Sequence, residues 1–298
     1  MTRQAREWLQ LNVALTRSNG SALPSARFLI REIEAALLGG DPRGSTRFFF
    51  QRKNPDLRLR FYGNRQFLMR GLRPVISRAK SQGCILKSFY SVYEPEQRQL
   101  GGRECMRHVH AYWAADSLIW IARDRLAEAN SLLVSCPTLM ASVLDDLFCR
   151  TLQDGAEVWD TWCNLGMLVR NETADRGQTP RLFSLEVLKN RVADEEADIV
   201  VRYQQANDLL STGLLDVWQQ GKMRCGIRSL LPYVALFTLN RHGFGRVEIA
   251  AIVDLMSAIR DPKQGLIGAE PDRAVMPVAV DSGDVGSAHS GGRVPGDH

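Results

Sequence analysis

The chain has no apolar run near the roughly 20 residues that a membrane-crossing helix needs. The longest apolar stretch is Leu230 to Leu239. No charged-then-apolar segment opens the sequence, so a secretory signal is not expected and the chain reads as cytoplasmic. Six cysteines (Cys84, Cys105, Cys136, Cys149, Cys163 and Cys225) contain no Cys-x-x-Cys pair and no His/Cys cluster. That spacing argues against a zinc site or a disulfide framework and for reduced packing residues. Internal repeats are missing as well. No recognition-helix, Gly-rich RNA-binding or aromatic-platform signature accompanies the positive charge, so nucleic acid is not the expected partner.

What is present is a 298-residue chain with 45% hydrophobic content, enough to bury a large core. Its net charge of +5 is concentrated: from Arg43 to Lys80 there are eleven Lys/Arg against one acid, Asp56. Such a block attracts an acidic partner and steers its approach. Inside it lies Phe48-Phe49-Phe50-Gln51-Arg52-Lys53-Asn54-Pro55-Asp56-Leu57-Arg58-Leu59-Arg60-Phe61. This reads as an aromatic strand, a turn and an alternating strand. Strand side chains alternate faces, so Leu57, Leu59 and Phe61 point to a core while Arg58, Arg60 and Tyr62 point away. An arginine face of this kind is either a site for an anionic or amide-rich ligand or an ordinary solvated surface, and spacing alone leaves both open.

Around the hairpin, strand and helix signals alternate. Glu7 to Leu15 reads as a strand, Pro24 to Leu38 as a helix, Arg65 to Lys80 as a basic helix and Cys84 to Tyr93 as a strand. The order β-α-β-β-α-β predicts an α+β fold built on a ferredoxin-like split unit, an antiparallel sheet with its helices on one side. Helical patterns follow at Arg103 to Ala127, Ser135 to Arg150, Ala156 to Val169, Ser184 to Leu210, Leu214 to Gln220, Ser229 to Gly243 and Arg246 to Ile259. Residues 1–261 are expected to form one globular unit, α/β over 1–100 and mainly helical over 101–261. Residues 262–298 lack periodicity and read as a disordered tail.

A second segment, Tyr90-Ser91-Val92-Tyr93-Glu94-Pro95-Glu96-Gln97-Arg98-Gln99-Leu100-Gly101-Gly102, leads into a helix that carries Asp116-Ser117. With the arginine hairpin, it resembles the small C-terminal domain of class I lantibiotic dehydratases over roughly residues 5 to 125, and more weakly to Asn240-Arg241. Stand-alone relatives occur in thiopeptide biosynthesis and are of two kinds. One eliminates glutamate from glutamylated Ser or Thr; the other joins two dehydroalanines into a pyridine by a formal [4+2] cycloaddition with loss of water and leader peptide. The histidine that the eliminating kind carries just upstream of Asn-Arg is missing, since Leu230 to Leu239 holds none and His242 follows the pair. Asp56, Leu100 and the Gln51-Arg52-Lys53 strand end also depart from the eliminating pattern.

The resemblance therefore implies a pyridine synthase. The alternatives are a glutamate-eliminating lyase with a changed base and a non-catalytic leader-binding partner. Arg58, Arg60, Tyr90, Tyr93, Asp116 and Tyr233 are the candidate catalytic residues. For substrate binding the candidates are Arg47, Arg52, Arg65, Glu94, Glu96, Phe237, Asn240 and Arg241. Glu94 and Glu96 are also the natural salt-bridge partners of Arg58 or Arg98, and His110 reads as a satisfied core histidine. The implied partner is a dehydrated, azole-containing precursor peptide whose acidic leader lies on the basic helix Arg65 to Lys80 and the edge of Thr46 to Lys53, by strand addition. No metal or organic cofactor is implied.

Overall fold

In the computed structural model residues 6–37, 46–169 and 181–263 are described. The α/β part runs β1 (Arg6–Leu15), α1 (Leu23–Leu37), β2 (Arg47–Lys53), β3 (Asp56–Asn64), α2 (Arg65–Ser81) and β4 (Ile85–Ser91). The four strands form one sheet in the order β2-β3-β1-β4, and every neighbouring pair is antiparallel. This is the expected split β-α-β-β-α-β arrangement. Its hairpin closes through a cis Asn54–Pro55 bond, and Asp56 accepts from the Leu15 backbone while pairing with Arg17.

Alternation puts Leu9, Leu11, Val13, Phe48, Phe50, Leu57, Leu59 and Phe61 on one sheet face. They form one core cluster with Leu29, Ile30 and Ile33 of α1 and Leu68, Leu72 and Val75 of α2. The opposite face is polar and aromatic, and it is this face that the rest of the chain covers.

The helical part comprises α3 (Arg103–Glu128), α4 (Cys136–Leu152), α5 (Gly155–Val169), α6 (Leu185–Lys189), α7 (Asp194–Gln219), α8 (Ile227–Arg241) and α9 (Arg246–Arg260). Three features of it differ from the periodicity reading. The pattern from Ser184 to Leu210 breaks at 190–193 and restarts where Asp194, Glu195 and Glu196 supply negative charge to the positive end of α7. That helix then continues through residues 211–213 instead of stopping. Helix α8 begins behind Gly226, so Ser229 lies inside its first turn rather than at its cap.

Entry to α3 depends on Gly101 and Gly102, at φ of 74° and 96°. L-residues avoid this region, and a Cβ at Gly101 would meet Cys105 Sγ at 2.8 Å. The turn is pinned by Gly102 N–H donating to Gln97 O and by Arg224 N–H donating to Gly101 O. It fixes how Tyr93 and Glu96 approach the sheet.

Helix α3 then runs along β2. Ser117 Oγ takes the Phe50 N–H at 3.4 Å, Arg241 Nε donates to Phe50 O at 2.8 Å, and Arg52 Nε donates to Arg241 O at 3.0 Å. These bonds correct one expectation: the Thr46 to Lys53 edge is not open for strand addition, because α3 and α8 already use its central peptide groups. The other edge strand, β4, exposes Leu86, Phe89 and Tyr90. The polar stretch at 171–178, the tail beyond residue 263 and Arg43 lie outside the described residues.

Candidate active site

The polar face of the sheet is centred on Arg60, which is only 2% exposed. Its Nε donates to Gln10 Oε1 at 3.0 Å and its Nη1 to Gln51 Oε1 at 2.7 Å. Both glutamines sit beside it through strand pairing, Gln10 directly opposite Arg60 and Gln51 opposite Arg58. Gln10 is itself held by Asn12 and Ser91, so its amide oxygen is fixed toward the guanidinium.

Aromatic rings close over this polar centre. The Arg60 guanidinium carbon lies 4.6 Å from the Tyr93 ring centroid and 5.3 Å from that of Phe49, geometry in which a ring face attracts a cation. Trp8 contacts Phe49, Tyr62, Tyr93 and His110, while Trp113 joins Phe49 to Phe237. Tyr93 Oη and His110 Nε2 are 2.7 Å apart.

Electrostatics follow from this burial. Desolvation lowers the Arg60 pKa, with Tyr93 and Glu96 working the other way. No carboxylate lies within ion-pair distance of Arg60 among the described residues. Burial, reinforced by Arg60 and Arg47, pushes the His110 imidazole down to about 3, so it is neutral at neutral pH. Burial raises the Tyr93 phenol well above its usual value, so it keeps its proton. Gln51 Nε2, Trp113 Nε1 and Glu96 Oε2 are buried without a hydrogen-bond partner among the described residues. Unsatisfied groups of this kind are uncommon in a folded interior. Two donors and an acceptor thus border a protonated phenol and a desolvated cation, a combination suited to holding and polarising a peptide amide.

Residues 8–259 match the family described as lantibiotic biosynthesis dehydratase C-term. The chain belongs to this family. Among solved structures it is similar to the tRNA dependent lantibiotic dehydratase MibB from Microbispora sp. 107891, at 16% identity over 86% of this chain with a TM-score of 0.58. The chain spans 28% of the MibB chain, and at that identity the likeness is one of fold. It is also similar to TsrL at 15% identity, with 85% of this chain and 94% of that chain covered and a TM-score of 0.46. No curated protein sequence matches it significantly.

Within this family member, the structure gathers some of the sequence-derived candidates and separates others. Arg60, Tyr93, Glu96 and, through Trp113, Phe237 surround one centre, with Arg47 exposed at its rim. Arg58 shares the strand face but lies toward the hairpin end and donates to Asn54 O. Tyr233, one turn before Phe237, packs partly buried against the helical core. Tyr90 is not brought to the centre: it pairs with Leu11, and β1 lies between its strand and Arg60, so it faces α2 with Arg65 and Arg73 nearby. Arg65 pairs with Glu7 on that same side. Arg52, opposite Leu57, also belongs to the helix-bearing face and leans on Trp120. Glu94 is exposed, and neither it nor Glu96 forms an ion pair among the described residues, so the expected salt bridges to Arg58 or Arg98 are not formed.

Asp116 and Arg241 form a separate, fully buried pair. Asp116 Oδ1 also lies 3.0 Å from His242 Nε2 and accepts from Tyr203 Oη at 2.8 Å. Burial alone would raise the Asp116 pKa, but Arg241 and His242 hold it below the ordinary carboxylate value. Asn240 is partly buried beside this pair in sequence, its Oδ1 without a hydrogen-bond partner among the described residues. Sequence reasoning missed Trp8, Gln10, Phe49 and Gln51 as parts of the centre, and it placed His110 in the core without its bond to Tyr93. The alternation in β1 puts Gln10 opposite the apolar stripe, which was the available signal.

Proposed function

We propose that this chain forms the pyridine ring of a thiopeptide, joining two dehydroalanines of a dehydrated, azole-containing precursor by a formal [4+2] cycloaddition. Water and the leader peptide, as a carboxamide, then depart, and no oxidant is required. The observation that carries this reading is a buried polar and aromatic cluster around Arg60 whose imidazole is not a competent base. His110, the imidazole at the centre, is held to a pKa of about 3, which makes it a weak acceptor for a carbon-bound α-proton.

Cycloaddition asks for different things. One backbone amide must be held as its iminol, two alkenes must be held in contact, and charge on the amide oxygen must be met by donors. In this reading Arg60 and the protonated Tyr93 polarise the amide carbonyl, in the manner of donors pre-aimed at developing charge. Tyr93 and His110 together can pass a proton between amide nitrogen and oxygen. The walls made by Trp8, Phe49, Trp113 and Phe237 keep water out and the alkenes together. Holding reactants in a near-attack pose is worth roughly 7 to 11 kcal/mol in well-oriented cases. The acidic leader would meet the basic surface of α2, which carries Arg65, Arg73 and Arg78.

A second reading, glutamate elimination from glutamylated Ser or Thr, is favoured by one feature. Arg60 has no carboxylate partner among the described residues, and a glutamyl carboxylate would supply one. Mass spectrometry of the protein with two leader-bearing peptides separates the readings. A peptide with two thiazole-flanked dehydroalanines should release leader carboxamide and a product lighter by one water. Loss of glutamate from a glutamylated peptide would instead establish elimination, and tight binding of both without change would leave a non-catalytic leader-binding role.

A further inference from the structure

Away from the sheet face, three side chains from three elements stand in series. Cys136 opens α4 behind its N-cap Ser135, at the helix end where free backbone N–H groups favour a thiolate. Its Sγ lies 3.8 Å from His242 Nδ1, just past the end of α8. His242 Nε2 in turn is 3.0 Å from Asp116 Oδ1 on α3 and 3.1 Å from Tyr203 Oη on α7. Asp116 is clamped from its other oxygen by Arg241.

The order thiol, imidazole, carboxylate is that of an activated nucleophile: an adjacent base, itself oriented by a third group. The surrounding groups agree with it. Arg123 of α3 and Arg52 of β2 are the cations that act on or near Cys136. Glu196 of α7 is engaged by the Leu133 and Val134 N–H groups, just before Cys136 in the chain. Cys136 is half-buried, whereas the His242 and Asp116 side chains are only 1% and 0% exposed. None of the other five cysteines contacts an imidazole among the described residues.

We propose that Cys136, His242 and Asp116 form a nucleophilic thiolate–imidazolium site that takes electron-poor alkenes, the α,β-unsaturated amide and imide class. In the step, the Cys136 thiolate attacks the β-carbon and the C–S bond forms. The alkene π electrons move to the α-carbon, and the His242 Nδ1 proton is transferred there, leaving a neutral imidazole. Nothing is oxidised and no group leaves. Burial alone would push the Cys136 thiol up, but the His242 hydrogen bond and charge, helped by Arg123, bring it below the ordinary value. Burial likewise opposes protonation of His242, yet Asp116 raises it overall. By contrast, burial pushes Cys105 up to about 11 and also raises Cys149 and Cys225.

The test is labelling of the full chain with substoichiometric N-ethylmaleimide from pH 5.5 to 8, followed by peptide mapping of all six cysteines. Cys136 should label at least tenfold faster than the similarly half-buried Cys84 at pH 6. Its rate should also climb less steeply than the tenfold per pH unit of an ordinary thiol. In Cys136→Ser the fast phase should vanish while the slow sites are unchanged. Equal rates at Cys136 and Cys84, or an ordinary pH slope at Cys136, would overturn the assignment. Because that comparison is made within the unmodified protein, it does not depend on a variant that folds. His242→Gln, judged only if its circular dichroism is native, should restore the ordinary slope.

Discussion

Arg60→Met asks whether the buried arginine exists for the fold or for the chemistry. In the wild-type chain the guanidinium makes two hydrogen bonds, at 3.0 and 2.7 Å, and faces two rings. Hydrogen bonds from a charged group contribute about 1.5 to 3 kcal/mol each, and a desolvated cation–π contact about 2. Against them stands the cost of burying an ion that has no carboxylate partner among the described residues, several kcal/mol in real proteins. Methionine keeps the stem volume and removes the ion, but it leaves the Gln10 and Gln51 oxygens unpaired at about 1 to 3 kcal/mol each. The interactions lost outweigh the desolvation relieved, so stability should fall, by no more than about 4 kcal/mol, or about 8 to 15 °C in Tm for a chain of this size. Turnover should respond very differently. Losing a donor aimed at developing oxyanion charge typically costs about 100- to 1000-fold in kcat. Thermal unfolding and single-turnover mass spectrometry on the same preparation read both quantities. Turnover within threefold of wild type would remove Arg60 from the chemistry, and a Tm drop beyond about 15 °C would show that its main role is to hold the sheet face together.

Asp116→Asn removes the negative charge facing Arg241 and His242 and one of the two carboxylate oxygens that Arg241, His242 and Tyr203 use, and breaking a buried pair from one side costs about 3 to 5 kcal/mol. Urea unfolding should show that loss as a lower midpoint with an unchanged slope, and a change under about 1 kcal/mol would contradict the network. Tyr90→Phe should leave turnover unchanged because its ring lies on the α2 side of the sheet, whereas Tyr93→Phe, which deletes the hydroxyl 2.7 Å from His110, should lower it at least tenfold. For pH, His110 has a folded value of about 3 against an ordinary 6.5. The unfolded chain therefore binds a proton that the folded chain refuses. The His110 contribution is whole above pH 6.5 and is lost as pH falls toward 3, at up to about 1.4 kcal/mol per unit. Unfolding free energies measured from pH 7 to 4 should decline in the wild type and decline less in His110→Gln; equal slopes would place the acid sensitivity elsewhere.

The strands and helices of the α/β part were legible because their signals are local: a period of two from Glu7 to Leu15, an Asn-Pro-Asp turn, a basic amphipathic helix. The face that each strand side chain takes relative to its neighbours was not, since it depends on register, and a one-residue slip turns every side chain over. Alternation alone separates Phe89 and Ser91 from Tyr90 in β4 but does not say which set looks toward Arg60. Asn12 pairing with Phe89 and Leu11 with Tyr90 decides it, and puts Tyr90 behind the sheet. The same non-local rule hid Gln10 and Gln51. Each looks like an incidental polar residue in an apolar strand until pairing sets Gln10 opposite Arg60 and Gln51 opposite Arg58, two residues along on the same face. His242 shows the limit from another direction. Read as a histidine on the wrong side of Asn240-Arg241, it seems to have lost a role. In the fold the end of α8 turns it toward Asp116 and Cys136, which lie 126 and 106 residues away in sequence. A missing residue in a linear pattern thus says that a chemistry has changed at one position, while a reactive constellation becomes visible only where helices from distant parts of the chain end together.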